Sequence, residues 1–108
     1  MSLPQTYKGV VGNGSGEPIL KDFSLPQPST NQVLVKVEYS PINPSDLLKL
    51  NGFYDSLGAF ATDCAGSEGS GIVAAVGTDL KVPYKVGDRV HLGVGSWGQY
   101  SLVESQTI

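Results

Sequence analysis

The sequence has only one cysteine and one histidine among its 108 residues. A single thiol, Cys64, excludes a disulfide within the chain and is typical of a protein from a reducing compartment. Cys64 has no cationic neighbour in sequence, so we do not expect it to act as a nucleophile. Because His91 stands far from Cys64 and no Cys-x-x-Cys pair occurs, the sequence predicts no metal site.

Runs of basic residues and long apolar runs are also missing. The formal net charge is −3, so nucleic acid and anionic membrane surfaces are not expected partners. No apolar stretch reaches the ~18 residues that a membrane-spanning helix needs. The polar start at residues 1–6 does not resemble a signal peptide, so a cytoplasmic location is expected.

Glycine and proline, in contrast, are abundant. The chain has 14 glycines and 7 prolines, and turn residues at this frequency are typical of a β-barrel or sandwich. A chain of 108 residues suits one small domain, which buries about two-thirds of the surface of its unfolded form. No repeat, low-complexity segment or linker divides the chain, so a single domain over residues 1–108 is expected.

Alternating and continuous apolar patterns predict the strands. Residues 33–39 alternate, which predicts a half-buried antiparallel strand with Val33, Val35, Val37 and Tyr39 on its buried face. The apolar run at residues 71–76, bounded by turn signals, predicts a fully buried strand. Weaker strands are predicted at residues 8–11, 19–23, 89–92 and 99–103, of which the first two are expected to form a hairpin.

A short helix is predicted over residues 44–51. Asn43 suits the N-cap, Pro44 the first helical position, and Asp46 the positive end of the helix. Gly52 suits the position after its end. Two turns are not stable alone, so Leu47, Leu48 and Leu50 are expected to pack on the barrel. Loops are expected at residues 53–62 and 80–85.

A single carboxylate, Glu68, lies inside the glycine-rich stretch from Gly66 to Gly71. The small residues around it let a ligand or another backbone come close, and we expect Glu68 at the edge of a packed sheet. A buried carboxylate is costly unless it is paired or hydrogen-bonded. From the residues alone, the favoured interpretation is a structural glutamate satisfied by backbone donors or an arginine.

Two glycine patterns match forms of the dinucleotide fingerprint and are rejected. That fingerprint opens a helix and is followed about 20 residues later by an acidic residue. Residues 93–98 precede a predicted strand, and only ten residues follow Gly98. Residues 69–74 themselves resemble a strand. No Rossmann unit is therefore expected within the chain.

Several motifs occur in an order that resembles the medium-chain dehydrogenase/reductase superfamily. They are Gly66-Ser67-Glu68-Gly69-Ser70-Gly71-Ile72-Val73, then Val76-Gly77, then Val86-Gly87-Asp88-Arg89-Val90. The resemblance covers residues 26–104 and implies a GroES-like, mainly β, partly open barrel with one or two short helices. In that superfamily a Rossmann domain follows this region. We therefore expect a fragment or a diverged short protein that lacks its cofactor platform and shows little or no turnover.

The resemblance also implies a chain without zinc. Asn43 stands where the zinc alcohol dehydrogenases have a cysteine ligand, and Ser67 stands where they have a histidine ligand. Only the adjacent Glu68 is retained, and the four-cysteine loop of the structural zinc is missing between Val90 and Ile108.

Asn43-Pro44-Ser45-Asp46 followed by Asn51-Gly52-Phe53-Tyr54 is similar to zinc-independent quinone oxidoreductases and enoyl thioester reductases. This likeness implies an NADPH-dependent enzyme in which Tyr54 is the proton donor and Asn43 contacts nicotinamide or substrate. Ser67 and Glu68 would line the substrate cleft. From the residues alone, a packing role for Tyr54 and an N-cap role for Asn43 remain alternatives.

The sequence leaves two substrate classes open, and it also leaves open a non-catalytic function. Residues 98–100 form a Gly-x-Tyr segment, which is usual in quinone reductases. The tryptophan before it, Trp97, instead resembles the corresponding segment of enoyl thioester reductases. A mitochondrial location would be consistent with that second class. A different class of function is a non-catalytic barrel that serves as an interaction or assembly module. An apolar face left uncovered would favour a homo-oligomer.

Overall fold

The structure is a computed structural model that describes residues 3–12, 17–50 and 64–108. In chain order its elements are β1 Thr6–Gly12, β2 Pro18–Ser24, β3 Gln32–Tyr39, α1 Pro44–Leu50, β4 Gly69–Val76, β5 Arg89–Leu92 and β6 Tyr100–Glu104, with a 3₁₀ turn at Ser105–Thr107. Every strand expected from the sequence is present, and the helix begins at the predicted proline. The mainly β fold with one or two short helices is confirmed.

The strands form two antiparallel sheets that do not close on each other. β1 and β2 form the predicted hairpin, while the larger sheet has the order β5-β4-β3-β6. The segment between Trp97 and Gln99 joins them: the Val10 N–H donates to the Trp97 carbonyl over 3.0 Å, and the Gln99 N–H donates to the Lys8 carbonyl over 2.9 Å. This arrangement is a partly open barrel.

The core lies on one face of the larger sheet. Its buried members are Val33, Val35, Val73, Val90, Leu92 and Val103. These residues come from all four strands of the sheet, and β-branched side chains pack well on a pleated surface. Val33 and Val35 are buried in this core, as predicted for β3.

The prediction for β3 is wrong at the C-terminal end of the strand. Tyr39, expected on the buried face, is 69% exposed. The pairing of β3 with β4 shifts register between Val37 and Tyr39. An irregularity of this kind changes which face later side chains occupy, so alternation alone could not place Tyr39. Leu34, which alternation places on the face opposite Val33 and Val35, is also buried, so the half-buried pattern predicted for β3 does not hold at the start of the strand either.

Gly71 shows why the centre of β4 is built from small residues. A Cβ atom at this position would lie 2.2 Å from the Lys36 carbonyl oxygen of β3. Glycine therefore permits the close approach of two backbones that the sequence predicted here. Among the described residues, no helix combines the length and the apolar character needed to cross a membrane.

Candidate functional site

The start of α1 is held by a reciprocal pair of hydrogen bonds. The Asn43 N–H donates to Oδ2 of Asp46 over 2.9 Å, and the Asp46 N–H donates to the Asn43 carbonyl over 2.9 Å. An acidic residue at the third helical position can accept the N-cap N–H in this way. Asp46 is therefore more than a charge near the helix dipole, because its side chain closes the first turn.

Asp46 also connects the helix to the segment that enters β4. Its side chain is completely buried, and Oδ1 accepts a hydrogen bond from the Ser67 hydroxyl over 2.9 Å. One carboxylate thus bonds to both Asn43 and Ser67, two residues that the sequence singled out. We call Asp46, Asn43 and Ser67 the Asp46 cluster.

Gly66 fixes the approach to Ser67. Its φ is +100°, a conformation that side chains rarely adopt, and a Cβ there would lie 2.4 Å from Ser96 Oγ. The Trp97 N–H also donates to the Ala65 carbonyl over 2.9 Å. The turn after β5 therefore packs directly against the residue that precedes Ser67.

Two serines and a tryptophan tie the end of β3 to that turn. The Ser40 and Ser96 hydroxyl oxygens lie 2.8 Å apart, and Ser96 is 2% exposed. The Trp97 indole N–H donates to the Pro41 carbonyl over 3.1 Å. Since Pro41 is close in sequence to Asn43, these contacts place the turn beside the Asp46 cluster.

Glu68 lies at the edge of the sheet, as expected, but its carboxylate is not buried. The side chain is exposed, and it precedes β4 rather than entering the sheet. Only its carbonyl takes part in a described contact here, at 3.2 Å from the Ser40 hydroxyl. The buried carboxylate of the region is Asp46 instead. The three-residue spacing from Asn43 to Asp46 was the available signal, because it matches a capping box.

The expected packing of the helix leucines on the barrel is corrected at Leu47 alone. Leu47 is 50% exposed, whereas the adjacent Asp46 is completely buried. The side chains of Leu48 and Leu50, together with Gly52, Tyr54 and the loop predicted at residues 53–62, fall outside the described part of the molecule. The position of Tyr54 relative to Asn43 and Ser67 thus stays a prediction.

An open groove of about 440 Å³ lies where the hairpin meets the end of β3. Its walls include Leu20, Tyr39, Ser40 and Trp97. Two charged residues also line it, and each has an ion-pair partner: Lys8 with Asp22 and Glu38 with Arg89, both at 2.8 Å. The groove is therefore a mixed apolar and hydroxyl-bearing surface without an unpaired charge among these residues.

The donor set does not fit a zinc ion. Both Asp46 oxygens already accept hydrogen bonds, and a serine hydroxyl is not among the usual zinc ligands. Within residues 3–12, 17–50 and 64–108, no three His, Cys, Asp or Glu residues form a group that could hold a metal. Cys64 packs against Gly9 and Gly98, and His91 lies exposed on β5.

The described residues also do not form a dinucleotide cradle. Residues 69–74 lie in β4, and residues 93–98 form turns that lead into β6. Neither glycine pattern begins a helix, whose N-terminus is what binds the pyrophosphate in the Rossmann fingerprint. The reasons for rejecting both patterns are confirmed.

Comparisons with known proteins identify the family of this chain. The alcohol dehydrogenase GroES-like domain family matches residues 29–108. Alcohol dehydrogenase 2 of Caenorhabditis elegans is 35% identical over 92 residues, which are 82% of this chain and 25% of that protein. The mitochondrial enoyl-[acyl-carrier-protein] reductase of Xenopus tropicalis is 34% identical over 97 residues, 83% of this chain and 27% of that protein.

A solved structure has a similar fold. The quinone oxidoreductase of Pseudomonas syringae superposes with a TM-score of 0.79 at 26% identity, over 94% of this chain and 32% of its own. The chain spans about a quarter of the length of the two curated relatives described above. By its family match and by these relatives, the chain belongs to the alcohol dehydrogenase GroES-like domain family, within the medium-chain dehydrogenase/reductase superfamily.

Proposed function

We propose that the chain is the substrate-side part of an NADPH-dependent, zinc-independent oxidoreductase that reduces quinones or activated C=C bonds. The observation that carries this proposal is the Asp46 cluster. Asn43 and Ser67 occupy the positions that resemble two zinc-ligand positions, and they are joined through a buried carboxylate. Hydrogen bonds rather than metal coordination then hold this end of the cleft together.

The nucleotide belongs to a domain outside this chain. Because the described residues offer no pyrophosphate cradle, we assign cofactor binding to a Rossmann domain in cis, and the 108 residues alone are expected to be inactive. The coverage of only about a quarter of the curated relatives supports this division.

The chain's own residues then act on the substrate. NADPH, when bound, supplies the hydride. Tyr54 donates the balancing proton to the enolate that hydride addition leaves on the substrate, a task suited to a phenol. Asn43 contacts the nicotinamide or the substrate. Ser67 forms part of the cleft wall, and the exposed Glu68 lies at its rim.

Two substrate classes remain within this proposal. The similarity to a quinone oxidoreductase structure favours a quinone, whereas the 34% identity to an enoyl-[acyl-carrier-protein] reductase favours a 2-enoyl thioester. Trp97, the residue that first indicated the thioester class, lines the groove and donates its indole N–H to the Pro41 carbonyl, two residues before Asn43.

A chimera separates the two classes. Residues 1–108 replace the matching part of the Pseudomonas syringae quinone oxidoreductase, and NADPH oxidation is followed with 1,4-benzoquinone and with crotonyl-CoA. We expect turnover with one of them and none from the isolated chain. Clear turnover by the isolated chain, or none by a folded chimera, would refute the proposal.

The role of Tyr54 is tested in the same chimera. General acid catalysis typically contributes about 10²–10⁴-fold, so Tyr54→Phe should lower kcat with the enoyl thioester by about 100-fold or more. Tyr84→Phe is the matched control, because Tyr84 packs against the core. Equal rates for the two variants would remove Tyr54 from the mechanism.

Zinc independence is tested by elemental analysis of the purified protein. We expect zinc well below one equivalent after dialysis against a chelator. About one equivalent of tightly bound zinc would contradict the proposal.

A further inference from the structure

Asp46 has a side chain that the proposed chemistry does not use, although it is completely buried. We infer that Asp46 is a positioning residue whose carboxylate sets the relative placement of Asn43 and Ser67. This inference rests on the proposed function, because only there do Asn43 and Ser67 border a substrate cleft. Asp46 itself touches neither substrate nor cofactor in this account.

Asp88 closes a turn in the same way as Asp46, so it serves as a comparison. The Lys85 N–H donates to Asp88 Oδ2 over 2.8 Å, and the Asp88 N–H donates to the Lys85 carbonyl over 3.0 Å. This is the same reciprocal pair that Asp46 makes with Asn43. Asp88, however, stays partly accessible to solvent at its turn. Closing a turn therefore does not require the complete burial seen at Asp46.

The additional feature at Asp46 is the bond to Ser67, which lies 21 residues further along the chain. Burial of a carboxylate is costly unless both oxygens find donors, and hydrogen bonds to a charged group are short and strong. Because the two oxygens belong to one rigid planar group, Asn43 and Ser67 cannot move independently. The carboxylate thus links the helix to the segment before β4.

The segment on the other side of Ser67 has little freedom to compensate. Gly66 holds φ at +100° and is in close contact with Ser96 and Trp97. A shift of Ser67 away from Asp46 would therefore disturb the turn that forms part of the groove. Asp46 consequently fixes Ser67 and Asn43 relative to each other and, through Gly66, relative to the turn that lines the groove.

The first test uses the 108-residue chain and needs no activity. Amide hydrogen exchange and the ¹H–¹⁵N resonance of Asn43 are measured in Ser67→Ala, which removes only the second bond to the carboxylate. We expect the resonance to move and the exchange to accelerate about tenfold. Ser105→Ala, at the other end of the sheet, is the control and should leave Asn43 unchanged. An Asn43 amide that does not respond to Ser67→Ala overturns the coupling.

The second test is kinetic and uses residues 1–108 in cis with the Rossmann domain. Asp46→Asn keeps the shape of the side chain but cannot accept both hydrogen bonds in the same way. We expect kcat/KM to fall about tenfold in Asp46→Asn and in Ser67→Ala, and the double variant to be no worse than Asp46→Asn, since all three break one linked unit. Asp88→Asn, the matched control, should stay within about twofold of the parent.

The outcomes separate this inference from the proposed function. Normal kcat/KM per folded molecule in Asp46→Asn, with a lower unfolding midpoint, would show a merely structural role and overturn the inference. If the parent protein reduces neither substrate, the proposed function fails and the positioning role fails with it. The hydrogen-exchange coupling between Ser67 and Asn43 would still be decided by the first test.

Discussion

The two ends of β3 are both held by polar side chains, but the two clusters differ in chemistry. At the N-terminal end of β3, the Asn31 side chain forms hydrogen bonds with Glu104, Gln106 and Ser105, and it also accepts a hydrogen bond from the Lys81 N–H. We call this the Asn31 cluster. At the C-terminal end of β3, Ser40 and Ser96 lie beside the Asp46 cluster, where a carboxylate is fully buried.

The difference separates a structural junction from a candidate functional site. The Asn31 cluster is centred on a neutral amide, which can be buried at a lower cost than an ion. It joins the start of β3 to the loop at residues 80–85 and to the 3₁₀ turn, and that task explains it fully. The Asp46 cluster uses a more costly group and joins Asn43 and Ser67, for which the family resemblance predicts a contact with nicotinamide or substrate and a place in the cleft wall.

The largest loss of stability is expected when the central residue of either cluster is removed. Asp46→Ala leaves the Asn43 N–H and the Ser67 hydroxyl without their acceptor, so the free energy of unfolding should fall by about 2–4 kcal/mol. Asn31→Ala should lower it by about 2 kcal/mol, because its lost partners are mostly neutral or exposed. Urea denaturation of both variants measures the difference. A larger loss for Asn31→Ala would reverse the comparison.

The second prediction concerns the backbone beside Ser67. Gly66→Ala adds a Cβ that meets Ser96 Oγ and Trp97 N while φ stays at +100°, and we expect a loss of about 2–3 kcal/mol. Two glycines separate the causes. Gly87→Ala has φ +98° with open space, so it should cost about 1 kcal/mol; Gly93→Ala has neither problem and should cost little. Equal losses in all three variants would contradict the close packing at Gly66.

A smaller effect is expected from the turn beside the site. Trp97→Phe removes the indole N–H that donates to the Pro41 carbonyl but keeps an aromatic ring in the groove. Loss of one such bond should lower the free energy of unfolding by about 1 kcal/mol. Circular dichroism during urea unfolding is the measurement, because the variant has lost the only tryptophan. A loss above about 3 kcal/mol would mean that packing, not the hydrogen bond, fixes the ring.

The smallest effect is expected from the two surface ion pairs. The side chains of Lys8 and Asp22 are 56% and 70% exposed, and those of Arg89 and Glu38 are 64% and 37% exposed. Exposed pairs typically contribute less than about 1 kcal/mol. Double-mutant cycles at low and high salt should therefore give coupling energies below about 0.5 kcal/mol. A larger, salt-dependent coupling would add a third stabilising region to the comparison.

Most of the fold could be predicted because its signals are local. Alternation located β3, turn residues separated the strands, and the capping residues located the start of α1 at Pro44. Tyr39 could not be placed, since a register shift leaves no mark in an alternating pattern. The mainly β architecture did not depend on that residue.

The site was less predictable because its contacts are not local. Asp46 was noted only for its place near the helix dipole, and nothing in the sequence indicates that its carboxylate bonds to Ser67. Glu68 was expected to be buried because it lies among glycines, yet it precedes the strand and faces solvent. Asn43 and Ser67 were singled out by resemblance to a family, whereas the carboxylate that joins them appears only in three dimensions.

A calorimetric titration of NADPH into the 108-residue chain tests directly whether the nucleotide site lies in another domain. With the nucleotide site assigned to another domain, we expect no saturable heat at millimolar NADPH. Saturable binding would contradict the assignment of the nucleotide site to another domain, because the chain would then form such a site of its own. The turn at residues 93–98 would have to be considered again as its location.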